Sequence, residues 1–246
     1  SRDVGESTLR GFPQDASQVT APWLSRALGN RFPNVCVRAI EILDSHSGTT
    51  SRVRVRLDYD ETGGHESLPE TVFLKITPRA LLQRLFMALN GTGRSEANFY
   101  RSVRPTVPVR VPDVYGVEDL GPGRQFVLLL EDLAAGKPRF TQVGQRASLQ
   151  DARSVMRELA KLHAAFWESP RFETDLSWVP TYESRRRDRS WERFVTGAMI
   201  RRAERSFAGE FGPEFRKVAA TCRDRRDSLE RLWNQGPRTL AHGDCH

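Results

Sequence analysis

Phe126-Val127-Leu128-Leu129-Leu130-Glu131-Asp132-Leu133 is the stretch at which the chain changes character. The apolar run Phe126 to Leu130 has no polar interruption, as expected of a strand buried on both faces. It stops at Glu131-Asp132-Leu133 and passes into the flexible Ala134-Ala135-Gly136. Before this point the chain alternates with the period of strands. After it, apolar residues recur at helical spacing.

Working upstream, Val35 to Leu43 reads as a strand, and Asp44 to Thr50 is rich in turn residues. Ser51-Arg-Val-Arg-Val-Arg-Leu-Asp-Tyr59 alternates polar and apolar, the mark of a half-exposed strand. Residues 60–68 form a polar connection with Gly63-Gly64, and Thr71 to Ile76 is a third strand. Together these make an antiparallel meander with a small-residue loop between its first two strands. Helical stretches at Arg79 to Leu89 and Ser95 to Val103 flank the break Asn90-Gly91-Thr92-Gly93. Pro105, Pro108 and Pro112 then force extended chain, and Val111 to Val117 is a further strand. Ahead of the meander, residues 1–17 read as a polar arm. Thr20 can cap a short helix through Leu28 that tolerates Pro22 in its first turn.

Downstream, Ala152, Val155, Met156, Leu159, Leu162, His163 and Phe166 share one face of a helix from Leu149 to Trp167. Further helices are expected over Trp191 to Ser206 and Pro213 to Leu232. The fold class is therefore α+β. An arm over residues 1–17 precedes a β-rich part over residues 18–133, and an α-helical part spans residues 137–246. The connection lies at about residues 131–136.

The chain has 246 residues, a net charge of +7, and ordinary hydrophobic and charged fractions of 38% and 28%. These suit a protein that buries a core. No apolar run approaches the roughly 18 residues needed to span a bilayer, and the N-terminal stretch lacks the apolar segment of a signal peptide. Cys36, Cys222 and Cys245 are odd in number and widely spaced, which fits a reducing compartment and a cytoplasmic location. Of 38 basic residues only Lys75, Lys137, Lys161 and Lys217 are lysines. An arginine excess spread along the chain reflects base composition, or an anionic partner such as a nucleotide. The cluster Arg185-Arg186-Arg187-Asp188-Arg189, followed by Trp191, could contact nucleic acid. A solvated helix start is the commoner meaning, and nucleic acid is disfavoured as a partner.

Four elements could carry chemistry. Gly48, Thr49 and Ser51 lie in a loop whose small residues let backbone N–H groups approach phosphate oxygens, although the same residues make an ordinary hairpin turn. Lys75 sits in Phe73-Leu74-Lys75-Ile76, where an inward lysine must be paired. Glu96 precedes Phe99-Tyr100 by one helical turn, so the aromatics can anchor the helix on the sheet while the carboxylate projects toward Lys75. His163 reads as a core histidine. Finally, His242-Gly243-Asp244-Cys245-His246 could be a metal-binding string, with Cys245 as a soft ligand, or a loop that caps neighbouring elements.

Leu240-Ala241-His242-Gly243-Asp244-Cys245-His246 resembles the catalytic loop of the aminoglycoside phosphotransferase group, which includes choline kinases and ecdysteroid-kinase-like proteins. Leu159-Ala160-Lys161-Leu162-His163-Ala164-Ala165-Phe166-Trp167 is similar to a helix of the same group. Lys75, Glu96 and Leu129-Leu130-Glu131-Asp132-Leu133 follow its order and approximate spacing. The resemblance implies a bilobal protein-kinase-like fold with ATP and Mg2+ as cofactors. Lys75 would bind the α- and β-phosphates, Glu96 would orient Lys75, and Gly48, Thr49 and Ser51 would cover the phosphates. Glu131, Asp132 and Leu133 would form the adenine-binding hinge through their backbone, and Asp244 would face the acceptor hydroxyl. The group's metal-binding Asn and second Asp would follow His246, so the resemblance implies no metal ligand within residues 1–246 and a chain incomplete at its C-terminal end.

The activity so implied is phosphoryl transfer from ATP to a small-molecule alcohol, with no membrane partner. The alternatives are a nucleotide-binding pseudokinase, a basic nucleic-acid-binding protein, or more distantly a metal-dependent hydrolase using His242, Asp244 and His246. An Arg-rich α-helical part argues mildly against a polycationic acceptor. Trp178, Tyr182 and Phe194 could line an acceptor pocket or pack a core.

Overall fold

The computed structural model describes residues 13–48, 50–60, 68–81, 83–84, 92–119, 125–136, 148–181, 190–207, 209 and 212–243. They fall into two compact units, one reaching Ser154 and the other beginning at Val155.

The first unit is built on a five-stranded antiparallel sheet: β1 (Val37–Ser47), β2 (Ser51–Tyr59), β3 (Thr71–Ile76), β4 (Val114–Asp119) and β5 (Phe126–Glu131), in the order β1-β2-β3-β5-β4. Directly opposed residues on neighbouring strands point to the same side, so the registers define two faces. One face carries Val53, Val55, Leu57, Val72, Leu74, Ile76, Val127 and Leu129, all buried in one cluster with Trp23, Leu24, Ala27 and Leu28. Those last four come from helix α1 (Ala21–Gly29). The Thr20 hydroxyl accepts the Trp23 N–H at 3.4 Å, and proline stands near its start, where a missing N–H costs nothing. The Ser25 hydroxyl accepts the Val37 N–H at 2.8 Å and ties α1 to β1. The other face carries Phe126, Leu128 and Leu130, buried with Ala97 and Tyr100. Ala97 lies on helix α2 (Thr92–Asn98), and Tyr100 lies on the wider turn Phe99–Val103 that follows it. Thus β5 is buried on both faces, as its unbroken apolar run requires.

Several boundaries differ from the sequence expectation. Strand β1 runs on to Ser47, through residues read as a turn, because His46 and Ser47 pair with Arg52 and Ser51. Ladder pairing overrides the weak strand propensity of Ser and Asp. Strand β4 starts at Val114 rather than Val111, and β5 ends at Glu131. The stretch expected to be helical over residues 79–89 falls largely outside the described residues.

In the second unit, helix α3 (Leu149–Ala165) enters from the first. Ser148 and Asp151 cap it reciprocally: the Asp151 carboxylate accepts the Ser148 N–H at 3.1 Å, and the Ser148 hydroxyl accepts the Asp151 N–H at 3.1 Å. Of the apolar stripe expected on this helix, Leu162 and the adjoining Phe166 are buried, whereas Val155 and Met156 are exposed. Periodicity decides which residues share a face and leaves open what covers it. Helices α4 (Ser190–Ser206), α5 (Pro213–Asp224) and α6 (Arg226–Asn234) complete the unit. One helix was expected over residues 213–232. Instead Arg225 ends α5 through its N–H to the Thr221 carbonyl, and its own carbonyl accepts the Ser228 and Leu229 N–H groups of α6. Among the described residues no helix is long and apolar enough to cross a membrane.

Candidate functional site

Lys75 lies on β3 beside Phe73, on the sheet face that α2 covers, and directly opposite Leu128 of β5. Its side chain is 24% exposed and its Nζ donates to Glu96 Oε1 at 2.5 Å. Glu96 belongs to α2. The helix is held on the sheet by Ala97 and Tyr100, packed against Phe126, Leu128 and Leu130. Phe99 and Tyr100 meet edge to face, with ring centroids 5.4 Å apart. Burial, reinforced by the nearby Glu96 charge, raises the Tyr100 phenol above its usual value. The result is a half-buried ammonium–carboxylate pair with apolar walls, where water screens little and a charge keeps more of its Coulomb strength.

The loop between β1 and β2 is short. The Gly48 N–H donates to the Thr50 carbonyl at 3.1 Å, and Ser51 is buried at the start of β2, opposite Ser47 and Ile76. A side chain at position 48 would come within 3.5 Å of His46 Nε2. Thr49 lies outside the described residues.

The end of β5 is strapped by arginines. Arg110 Nη2 donates to both Glu131 carboxylate oxygens, at 2.5 and 2.7 Å, and the Asp113 N–H donates to Oε2 at 2.9 Å. The Arg110 hydrogen bonds, chiefly, hold the Glu131 carboxyl below its usual range. Asp132 is buried. Arg54 of β2 donates to it through Nε, at 3.2 and 3.1 Å, and through Nη2, at 2.9 Å, while its Oδ1 accepts the Ala134 N–H at 3.0 Å. The two carboxylates read as hinge residues therefore brace this segment through their side chains. Leu133, partly exposed, opens a single 3-10 turn to Gly136. Arg54, Arg110 and Asp113 went unnoticed in the sequence. The signal for Arg54 was available: an arginine between Val53 and Val55 on an alternating strand faces away from their core and needs a partner on the opposite face.

In the second unit, residues 238–243 lean on the end of α3. The Thr239 hydroxyl donates to the His163 carbonyl at 2.7 Å, the Glu168 N–H donates to the Arg238 carbonyl at 2.8 Å, and Leu240 is buried. The His163 segment thus holds residues 238–240 through its backbone. Gly243 has φ +79°, the left-handed region that glycine enters without a Cβ penalty. Asp244, Cys245, His246 and the basic cluster 185–189 lie outside the described residues. Among the described residues no group of His, Cys, Asp or Glu side chains could hold a metal ion.

A family model described as the ecdysteroid kinase-like family matches residues 48–246, more than half of the chain. The chain belongs to the ecdysteroid kinase-like family. That membership supports a kinase-like phosphotransferase in general terms, and the mixed α+β architecture with its antiparallel sheet is consistent with a kinase-like fold. The matched region of this ecdysteroid kinase-like chain begins at Gly48 and takes in Lys75, Glu96 and residues 131–133. No curated protein and no solved structure matches the chain at a significant level.

Proposed function

We propose that the protein transfers the γ-phosphoryl group of ATP to a hydroxyl of a small molecule. The observation that carries this reading is the Lys75–Glu96 pair, held on the interior of an antiparallel sheet in a chain of a kinase-like family. Phosphoryl transfer asks a protein chiefly to position its reactants and to stabilise developing charge. In this reading Lys75 donates to the α- and β-phosphates, and Glu96 holds its ammonium in place. Gly48, Thr49 and Ser51 form the loop over the phosphates, with the Gly48 N–H already given to the Thr50 carbonyl. The backbone of residues 131–133 binds adenine, in a segment braced by Arg54 and Arg110. Asp244 orients the acceptor hydroxyl and accepts its proton as the oxygen attacks the γ-phosphorus and the bond to the β-phosphate oxygen breaks.

Mg2+ accompanying the nucleotide would supply charge compensation at the phosphates. The described residues offer it no cluster of His, Cys, Asp or Glu ligands.

The test is nucleotide binding by calorimetry in wild type and Lys75→Ala, with ADP release measured over a panel of sugars, amino alcohols and sterol-like alcohols. ATP binding lost in Lys75→Ala, with turnover on one acceptor class, is the expected result. Equal ATP affinity in the two proteins refutes the role of Lys75. Binding without turnover on any acceptor favours the pseudokinase.

A further inference from the structure

The register of the sheet places basic residues in one row. His46 of β1 pairs with Arg52 of β2, and Arg52 pairs with Lys75 of β3. Opposed residues point the same way, so all three stand on the face that holds Glu96. Of the three arginines that β2 puts on this face, Arg54 has Asp132 and Arg56 has Glu41. Among the described residues no carboxylate pairs with Arg52, and directly opposite it stands the cation Lys75, already matched to Glu96, with Arg54, matched to Asp132, two residues along on the same face. Two like charges directly opposed in a ladder are unfavourable. The row also adjoins the small-residue loop, since Ser51 precedes Arg52 and Gly48 lies two residues past His46.

We propose that Arg52 is a second phosphate-binding side chain of this protein, acting with Lys75 on the same polyphosphate, with His46 at the outer end of the row. The inference rests on the nucleotide reading given above and adds to it the residue that completes the anion site. An anionic chain laid across the row offsets the Arg52–Lys75 repulsion, and the planar fork of arginine suits two phosphate oxygens at once. The row is graded: Lys75 is half-buried at the helix end, while Arg52 and His46 are exposed at the loop end.

Calorimetry with ATP and adenosine, together with thermal melts, tests this in wild type, Arg52→Gln and Arg56→Gln. Arg56 is the control because it lies on the same strand and face and has its own partner. Arg52→Gln is expected to weaken ATP about tenfold, the effect of one charge-assisted contact, with adenosine binding unchanged and Arg56→Gln like wild type. Without ligand, Arg52→Gln melts no lower than wild type, since a repulsion is removed, and the upward shift with ATP shrinks. ATP affinity within twofold of wild type in Arg52→Gln, while Lys75→Ala loses binding, overturns the inference alone. Equal loss of ATP and adenosine also overturns it. A wild-type protein that binds no ATP overturns both this inference and the reading beneath it.

Discussion

Arg54→Met is the perturbation whose outcome the structure constrains best. The Asp132 side chain is 2% exposed and receives its strongest contacts from Arg54, which is itself 31% exposed. Removing one partner of a buried pair costs about 3–5 kcal/mol, because the other charge stays buried and unmatched. Two features place this case at or somewhat below the lower end of that range. Asp132 keeps the Ala134 N–H at 3.0 Å, and the partly open Arg54 side lets water approach. We therefore expect a loss of about 2–3 kcal/mol. At about 2–4 °C per kcal/mol for a protein of this size, the melting temperature falls by roughly 4–12 °C.

Asp132→Leu alone removes the carboxylate and leaves the better-solvated arginine, so it costs less. The double variant Arg54→Met/Asp132→Leu should be more stable than the sum of the single effects implies, because neither charge is left without the other. Urea unfolding at pH 7 measures all four proteins. A change under 0.5 kcal/mol in Arg54→Met, or strict additivity in the cycle, refutes the claim that this pair braces the end of β5.

Three further expectations follow from named contacts. Leu128→Ala removes a fully buried side chain opposite Lys75, on the face that packs with Ala97 and Tyr100, and should cost about 2–5 kcal/mol; a loss below 1 kcal/mol in urea unfolding would mean that this face is loosely packed. Glu131 is held below its usual carboxyl range by Arg110, so its stabilisation is fully present above the unfolded value of about 4.3 and is lost as pH falls through the lower folded value. Glu131→Gln should accordingly be less stable than wild type at pH 6, with the gap closing as the solution is acidified below the folded value, and a gap independent of pH would contradict the pairing. Glu96→Gln keeps the shape of the Lys75 partner but removes its charge, and we expect ATP affinity to fall several-fold while the melting temperature moves by less than 3 °C. A large destabilisation would recast Glu96 as a structural residue.

The candidate site was legible where local pattern and side-chain chemistry coincide. An inward lysine needs a partner, and Glu96 stood one turn before two aromatics that could fix its helix; the two side chains meet at 2.5 Å. The buried strand Phe126 to Leu130 was legible from its unbroken apolar run. The bracing of Glu131 and Asp132 was not, because Arg54 is 78 residues from Asp132 in sequence and no local rule joins them. The extent of β1 was hidden for a similar reason, since Asp44 to Ser47 favour turns and become strand only by pairing with β2.

Sequence alone determined which residues alternate, which recur at helical spacing, and which charges cannot be buried without a partner, because these follow from backbone periodicity and the cost of desolvating an ion. Tertiary structure alone decided which partner each charge takes and which basic residues stand in one row. Strand register is a long-range choice, and pairing in that register gives Asp132 to Arg54 and sets Arg52 opposite Lys75.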